Sequence, residues 1–240
     1  MFATILFSLS LTLGVTGDDV LADMDTVLTL AKDQVMEFDC ITESKGAEVG
    51  VITFQVFLKG TDWRRVEFKE PGNVKGMKIL TRAAQDMYVY LPAFKKVRRL
   101  ASHVKEQGFM GTAFGHEEMS LVRFAPLFSG KLIEESPHHW LIEASRRPDV
   151  DSAYAKLLIE IRKDLRQPAQ IQYFDADGRR LKTEKRMEYG CRGKVCAPRV
   201  IQMIDHSRGD LVSKLVRKTW MVDTGVPDSY FSLQSLRRGN

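Results

Sequence analysis

Apolar and polar residues alternate along most of the chain from Glu48 onward. In the first of these stretches, every second position is apolar: Ile52, Phe54, Val56 and Leu58. A period of two is typical of a β-strand with one buried face, because successive side chains point to opposite sides of the strand. Similar stretches continue to Trp220, separated by turn sequences such as Pro71-Gly72-Asn73. The pattern predicts about ten short strands in one large antiparallel sheet, curled or nearly closed.

One amphipathic helix is expected before the strands. Apolar residues at positions 24, 27, 28, 31 and 35 have the spacing that lines one face of a helix. Asp23 can cap the start of this helix and Lys32 lies nearer its end, and both charges suit the helix dipole. We therefore predict a helix from residue 24 to about residue 36.

Neither period holds in residues 101–129. This segment is rich in glycine and in large apolar residues, namely Gly108, Phe109, Met110, Gly111, Phe114, Gly115, Met119, Phe124 and Phe128. A long irregular segment in a compact domain is usually functional. We expect residues 108–128, termed the apolar gate, to be mobile and to fold Phe109, Met110 and Phe114 into a cavity when no ligand is bound. The alternative is a permanent plug of the core.

The N-terminal residues have the layout of a secretory signal peptide. An uncharged apolar run from Phe2 to Val15 precedes small and polar residues, although no Lys or Arg follows Met1. The run is too short to cross a bilayer as a helix. Both Val15-Thr16-Gly17 and Val20-Leu21-Ala22 fit the rule for cleavage. We expect residues 1–22 to be cleaved and residues 23–240 to form one soluble periplasmic domain; the alternative is an apolar first element of the mature fold.

Composition narrows the class of protein. With 240 residues, 44% of them hydrophobic and 28% charged, the chain is neither disordered, nor collagenous, nor a multi-span membrane protein. The formal net charge of +5 permits contact with anionic lipid headgroups, acidic proteins or nucleic acid, and does not choose among them. Because an exported protein rarely meets nucleic acid, we expect no nucleic-acid partner.

The sequence contains none of the common enzyme motifs. It lacks a Gly-x-Ser-x-Gly elbow, a phosphate-binding loop and a His-Glu-x-x-His helix. His116 with Glu117 and Glu118, or His138 with His139, could help to bind a metal; the alternative interpretation is solvated loop residues. We expect no catalytic residue, no resident metal and no cofactor.

Two of the three cysteines have a spacing that suits a disulfide. Cys191 and Cys196 enclose four residues, and a two-residue turn at Gly193-Lys194 would place the cysteines directly opposite each other. That arrangement predicts a bridge in an oxidising compartment, the alternative being two thiols. Cys40 is the remaining cysteine, expected to be buried.

Four cations lie close together after Tyr90-Leu91-Pro92, namely Lys95, Lys96, Arg98 and Arg99. The simplest interpretation is a strand, a turn and a second strand with a solvated cationic face. Like charges at this density are cheaply solvated only at the surface, where they mainly set association rates. We expect this docking segment to contact an acidic partner surface or lipid headgroups.

Several blocks of the sequence are similar to those of one bacterial family. They are Asn73-Val74-Lys75-Gly76-Met77, Tyr90-Leu91-Pro92-Ala93-Phe94-Lys95-Lys96-Val97-Arg98-Arg99 and Gly108-Phe109-Met110-Gly111-Thr112-Ala113-Phe114. Weaker matches lie at residues 151–156, 173–178 and 226–231. The blocks resemble those of the outer-membrane lipoprotein-sorting proteins, the LolA-like group, over nearly the whole mature chain.

The resemblance implies a mainly β fold: a strongly curved, unclosed antiparallel β-barrel, with an N-terminal helix and a lid of loops and helices over an apolar cavity. It implies a monomeric periplasmic carrier of the acyl chains of lipoproteins or other lipids. The implied partners are an inner-membrane transporter of the ABC or RND type and, as a further candidate, an outer-membrane receptor. The alternative is a non-carrying envelope module that docks on a lipid exporter of the RND type.

Overall fold

The computed structural model describes residues 14–82, 86–100 and 109–237. These residues form three α-helices, namely α1 (Gly17–Leu28), α2 (His116–Ser120) and α3 (Leu233–Arg237). They also form thirteen strands, namely β1 (Asp33–Ser44), β2 (Ala47–Lys59), β3 (Trp63–Glu70), β4 (Lys78–Thr81), β5 (Met87–Leu91), β6 (Lys96–Arg99), β7 (Phe128–Glu135), β8 (His139–Arg146), β9 (Lys156–Arg162), β10 (Gln167–Phe174), β11 (Arg180–Arg192), β12 (Val195–Asp205) and β13 (Leu211–Val222). Residues 1–13 of the predicted signal peptide and Gly108 of the apolar gate lie outside the described residues.

All the described strands belong to one antiparallel sheet. Its order is β6-β5-β4-β3-β2-β1-β13-β12-β11-β10-β9-β8-β7, so the first and last strands of the chain meet in the middle. The outermost strands, β6 and β7, do not pair with each other in the part of the chain that the structure describes. The sheet is curved and unclosed, which confirms the mainly β fold that the sequence predicts.

One face of the sheet holds the main core. On β2, Phe54 and Val56 are buried, and Ile52 and Leu58 pack against the same core as partly buried residues. These four side chains alternate with those of the opposite face, as their spacing predicts. We call this side the inner face.

Helix α1 lies earlier in the chain than the sequence pattern predicts. Its start is capped by Thr16, whose Oγ1 accepts the Asp19 N–H at 3.1 Å. Val20 and Leu21 are 3% and 0% exposed, and they extend the helical spacing of Met24 toward the N terminus. The predicted helix over residues 24–36 is therefore wrong in both bounds, because α1 spans Gly17–Leu28 and β1 begins at Asp33.

α1 crosses β7 at a pair of glycines. A Cβ atom at Gly17 would lie 2.5 Å from the carbonyl carbon of Gly130, and one at Gly130 would lie 2.6 Å from the Gly17 oxygen. The Asp18 carboxylate accepts the Gly130 N–H at 2.8 Å. This backbone contact fixes α1 against β7, the strand at one edge of the sheet. β7 begins at Phe128, inside the segment of residues 101–129 that the sequence predicts to be irregular.

The outer face of β1 to β5 is covered by the end of the chain. Residues 226–237, termed the C-terminal cover, contribute Val226, Phe231 and Leu236 to a second core with Val35 and Leu80. The C-terminal cover closes the outer face of these strands, and the cavity described below opens on their inner face.

Candidate functional site

A cavity of about 810 Å³ opens on the inner face of the sheet. Its wall combines the end of α1, the sheet and the loop that contains α2. The lining mixes apolar and polar side chains, including Leu28, Ala31, Gln34, Leu58, Arg64, Thr81, Met87, His116, Glu117, Glu118, Leu121, Val122, Leu127, Tyr154, Leu181, Lys182, Asp205 and Arg208.

The sheet side of the cavity is one row of cross-strand neighbours. This rim row runs across β1 to β5 and consists of Gln34, Leu58, Arg64, Thr81 and Met87. Two residues further along the same strands lies the apolar row, Met36, Val56, Val66, Ile79 and Val89. Beyond it lies the aromatic row, Phe38, Phe54 and Phe68. The inner face thus changes from a mixed polar and apolar row to a wholly apolar one over two residues along each strand.

Phe109 of the apolar gate packs on the aromatic row. Its ring centre lies 5.8 Å from that of Phe54 and 5.6 Å from that of Phe68. Phe109 and Phe114 are 3% and 2% exposed, so both rings belong to the core. Met110 differs from the prediction: it is 39% exposed, and its backbone adopts the left-handed conformation with a φ of +52°.

Hydrogen bonds hold the described part of the apolar gate in place. The Ala113 N–H donates to Ser213 Oγ of β13 at 2.9 Å, and the Arg208 guanidinium donates to the Thr112 carbonyl oxygen. At the other end, the Phe124 N–H donates to the Asp25 carboxylate of α1 at 2.8 Å. Opening of this segment therefore requires the loss of specific polar contacts as well as of ring packing.

The residues of α2 tie this segment to the sheet. Glu118 accepts hydrogen bonds from Lys182 Nζ at 2.8 Å and from the Tyr154 hydroxyl. Glu117 accepts the Ala153 N–H at 3.1 Å, and burial raises the pKa of its carboxyl group. His116 sits edge-on to Phe109, and burial lowers its pKa.

The interpretation of residues 116–118 as solvated loop residues is therefore wrong. Their side chains make structural contacts that join α2 to Tyr154 and to β11. Among the described residues, no three His, Cys, Asp or Glu side chains are grouped as a metal site requires.

Arg64 projects from β3 into the cavity. Its side chain is half-buried, and no hydrogen bond or ion pair joins its guanidinium to another described residue. Burial lowers the pKa of Arg64 to about 10. Arg64 belongs to none of the motifs in the sequence, although strand alternation places it on the same face as Val66.

The docking segment lies at one edge of the sheet. Lys96, Arg98 and Arg99 belong to β6, and Lys95 precedes it with a φ of +50°. All four cations are exposed, and among the described residues only Arg99 forms an ion pair, with Asp86 at 3.6 Å. Phe94, 64% exposed, lies beside them. An apolar ring and four cations therefore share an exposed edge.

Cys191 and Cys196 lie directly opposite each other at the hairpin between β11 and β12. They are joined by a disulfide, with their Cα atoms 4.0 Å apart. Cys40 of β1 is a buried free thiol, and burial raises its pKa to about 12. Its thiolate form is thus suppressed at neutral pH.

Known structures share this architecture. A DUF1329 family protein from Desulfovibrio piger is 21% identical, with a TM-score of 0.84 over 92% of this chain and 97% of its own. A putative outer membrane lipoprotein-sorting protein domain from Vibrio parahaemolyticus is 21% identical, with a TM-score of 0.81 over 92% and 98%. A LolA superfamily protein from Nitrosomonas europaea is 21% identical, with a TM-score of 0.76 over 92% and 100%.

No helix among the described residues is long and apolar enough to cross a membrane. No curated protein sequence matches the chain. A family model described as an uncharacterized protein matches residues 60–238, about three quarters of the chain. With the structural neighbours, this match shows that the chain belongs to the DUF1329 family, whose fold is that of the LolA-like outer-membrane lipoprotein-sorting proteins.

Proposed function

We propose that the protein is a periplasmic carrier that holds the acyl chains of lipoproteins or other lipids on the inner face of its sheet. It would transfer them between the inner and outer membranes without covalent chemistry. The observation that carries this proposal is a cavity of about 810 Å³ whose sheet wall, the rim row, lies two positions along the strands from the apolar row. The LolA-like fold supports the same role.

The energetics of such binding follow from burial. An acyl chain gains about 0.8 kcal/mol for each methylene that leaves water. The cavity volume falls in the range of about 300 to 1,000 Å³ that small-molecule sites occupy. The volume therefore suits an acyl chain, provided that the chain can extend from the rim row to the apolar row.

Phe109 and Phe114 would compete with the ligand. A chain that extends to the aromatic row must displace Phe109 from Phe54 and Phe68. Burial of two such side chains is worth roughly 3 to 6 kcal/mol, so their return to the core opposes binding. This competition would make release to a partner possible. If the Phe109 and Phe114 rings stay in the core when a ligand is present, the segment is a permanent plug, which is the alternative to the mobile gate.

The docking segment would supply the contact with a partner. Its cations are exposed and mostly unpaired within the described residues, and β6 is the outermost strand at one end of the sheet that these residues form. We propose an acidic face of an inner-membrane transporter, of the ABC or RND type, or anionic headgroups as the surface it meets. Charge reversal by Lys95→Glu and Lys96→Glu should slow that association in a salt-dependent way. Unfolding of this variant, with an unchanged binding rate in its folded fraction, would refute the docking role.

The deciding experiment has two parts. Mass spectrometry of organic extracts of protein isolated from the periplasm should find a copurified lipid. Binding of a fluorescent fatty acid should then change in the Phe109→Ser variant and remain unchanged in Phe94→Ser, a matched control whose ring is exposed. A folded protein that carries no lipid and binds no fatty acid contradicts the proposal.

The second candidate function is the non-carrying module that docks on an exporter. The burial of Phe109 and Phe114 favours it, because a fixed plug leaves the aromatic row closed. Under this function, Phe109→Ser lowers stability with no change in fatty-acid binding, while the salt-sensitive docking persists.

A further inference from the structure

Two adjacent arginines of β3 have opposite surroundings. Arg65 points to the outer face, is 1% exposed, and donates to Glu67 at 2.8 Å and to the Tyr230 carbonyl oxygen at 2.8 Å. Arg64 points to the inner face and has no such acceptor among the described residues. A guanidinium partly removed from water without an acceptor is unfavourable unless something else supplies one.

None of the described acidic side chains that line the cavity supplies this acceptor. Glu117 accepts hydrogen bonds from the Ser152 hydroxyl and the Ala153 N–H, and Glu118 accepts hydrogen bonds from Lys182 and Tyr154. Asp205 is paired with Arg208 at 2.7 Å. Asp33 accepts N–H groups from Thr224 and Gly225. Asp62 and Asp151 are exposed to solvent. The cavity therefore contains one cation in its sheet wall whose charge is not used within the described residues.

The surroundings of Arg64 fit one end of an amphiphile. Its cross-strand neighbours are Leu58 and Thr81, and Val66 of the apolar row follows two positions along the same strand. An anion held by the guanidinium would have its attached chain start at the apolar row, about 7 Å away. A planar guanidinium binds carboxylate and phosphate groups in a bidentate manner, which also orients them.

We propose, resting on the carrier function above, that the cavity selects acyl chains that bear an anionic group, and that Arg64 pairs with the carboxylate or phosphate of that ligand. The charge is recognised at the rim row and the chain at the apolar row. An uncharged lipid of the same length would bind more weakly.

The test compares one fluorescent chain in charged and uncharged form. Cis-parinaric acid and its methyl ester are titrated at pH 8 into the wild type, Arg64→Gln, Arg64→Lys and Lys32→Gln. Lys32 is the matched control, an exposed cation that lines the same cavity. Arg64→Gln should weaken binding of the acid by about tenfold or more and leave the ester unchanged. Arg64→Lys should retain part of the preference, and Lys32→Gln all of it.

The outcomes separate this inference from the carrier function. If wild type binds acid and ester equally, or if Arg64→Gln weakens both equally, the pairing is refuted while the carrier function stands. If neither probe binds the folded wild type, both are refuted. Thermal unfolding checks that Arg64→Gln folds, which is expected because the replaced side chain has no partner within the described residues.

Competition experiments identify the source of the anion. Inorganic phosphate or acetate at millimolar concentration should not displace the fluorescent acid, because neither has a chain to bury. Displacement by phosphate alone would assign the site to a free anion and overturn the proposal. Dilauroyl phosphatidic acid and lauric acid, which should both compete, then tell a phosphate headgroup from a carboxylate by their relative strength.

Discussion

The guanidinium carbon of Arg65 lies 4.0 Å from the ring centre of Tyr230, a residue 165 positions away in the sequence. The two side chains share a third partner, because Glu67 accepts hydrogen bonds from Arg65 at 2.8 Å and from the Tyr230 hydroxyl at 2.9 Å. Arg65 and Glu67 are almost wholly buried, at 1% and 3% exposure. This group anchors the C-terminal cover to β3, so the outer face is a fixed part of the fold.

Arg65→Met should destabilise the protein by about 3 to 5 kcal/mol, since it leaves Glu67 buried without its main partner. Lys69 Nζ lies 3.6 Å from Glu67 Oε2 and remains in this variant. We therefore expect the loss of stability to lie toward the lower end of that range. The double variant with Glu67→Met should recover part of the loss. Urea unfolding measures the free energies, and Arg64→Met on the same strand is the control. An equal loss in Arg64→Met would contradict this account.

Asp33 gives stability a defined dependence on pH. Its carboxylate accepts the Thr224 N–H at 2.9 Å, the Thr224 hydroxyl at 3.0 Å and the Gly225 N–H at 3.0 Å. Burial raises the pKa of Asp33, but these hydrogen bonds together lower it below its ordinary value of 3.8. Since the unfolded chain then binds the proton more readily, the stabilisation is present above that value and is lost as pH falls through the folded pKa.

The free energy of unfolding should therefore fall more steeply with acidification in the wild type than in Asp33→Asn, over about pH 5 to 3. Urea titrations at a series of pH values provide the comparison. Parallel curves for the two proteins would mean that Asp33 has no such linkage.

Local patterns could predict the strands but not what covers them. Phe54 and Val56 alternate with polar residues, and a period of two is enough to assign their face. The same rule places Arg64 and Arg65 on opposite faces. It cannot say that Arg65 meets an acceptor, because that acceptor lies in the C-terminal cover.

The N-terminal elements were harder to predict for a related reason. Val20 and Leu21 fit both an apolar leader and the buried face of a helix. Only their packing against the sheet distinguishes the two. Val35 fits the helical spacing by chance but belongs to β1. That strand pairs with β13, the last strand in the chain, so local sequence alone could not reveal the pairing.

The burial of Val20 and Leu21 in α1 argues against the cleavage after residue 22 that the sequence predicts, and we now expect the mature protein to begin at or before Asp18. Of the two cleavage positions in the sequence, the one after Ala22 would remove Val20 and Leu21 from the core. That loss should cost about 3 to 6 kcal/mol. Intact-mass measurement of exported protein locates the terminus. A mature chain that begins at Asp23 and is as stable as one beginning at Asp18 would contradict the role given to α1.

The disulfide predicts a thiol count. Exported protein that is denatured without reductant should show one free thiol per chain, from Cys40, and three after reduction. Because the bridge closes a loop of few residues, Cys191→Ser with Cys196→Ser should lower stability by no more than about 2 kcal/mol. Three free thiols before reduction would exclude the bridge in the cell.

The lack of pairing between the outermost described strands, β6 and β7, affects the volume that the inner face can enclose. In a closed barrel, the number of strands and their stagger determine the radius, so the interior volume is a constant of the fold. Here no ladder within the described residues joins the two ends of the sheet, and small changes in twist at each strand pair alter the curvature without breaking a backbone hydrogen bond. Under the proposed carrier function, such a change in curvature would let the inner face admit acyl chains of different bulk without loss of strand pairing.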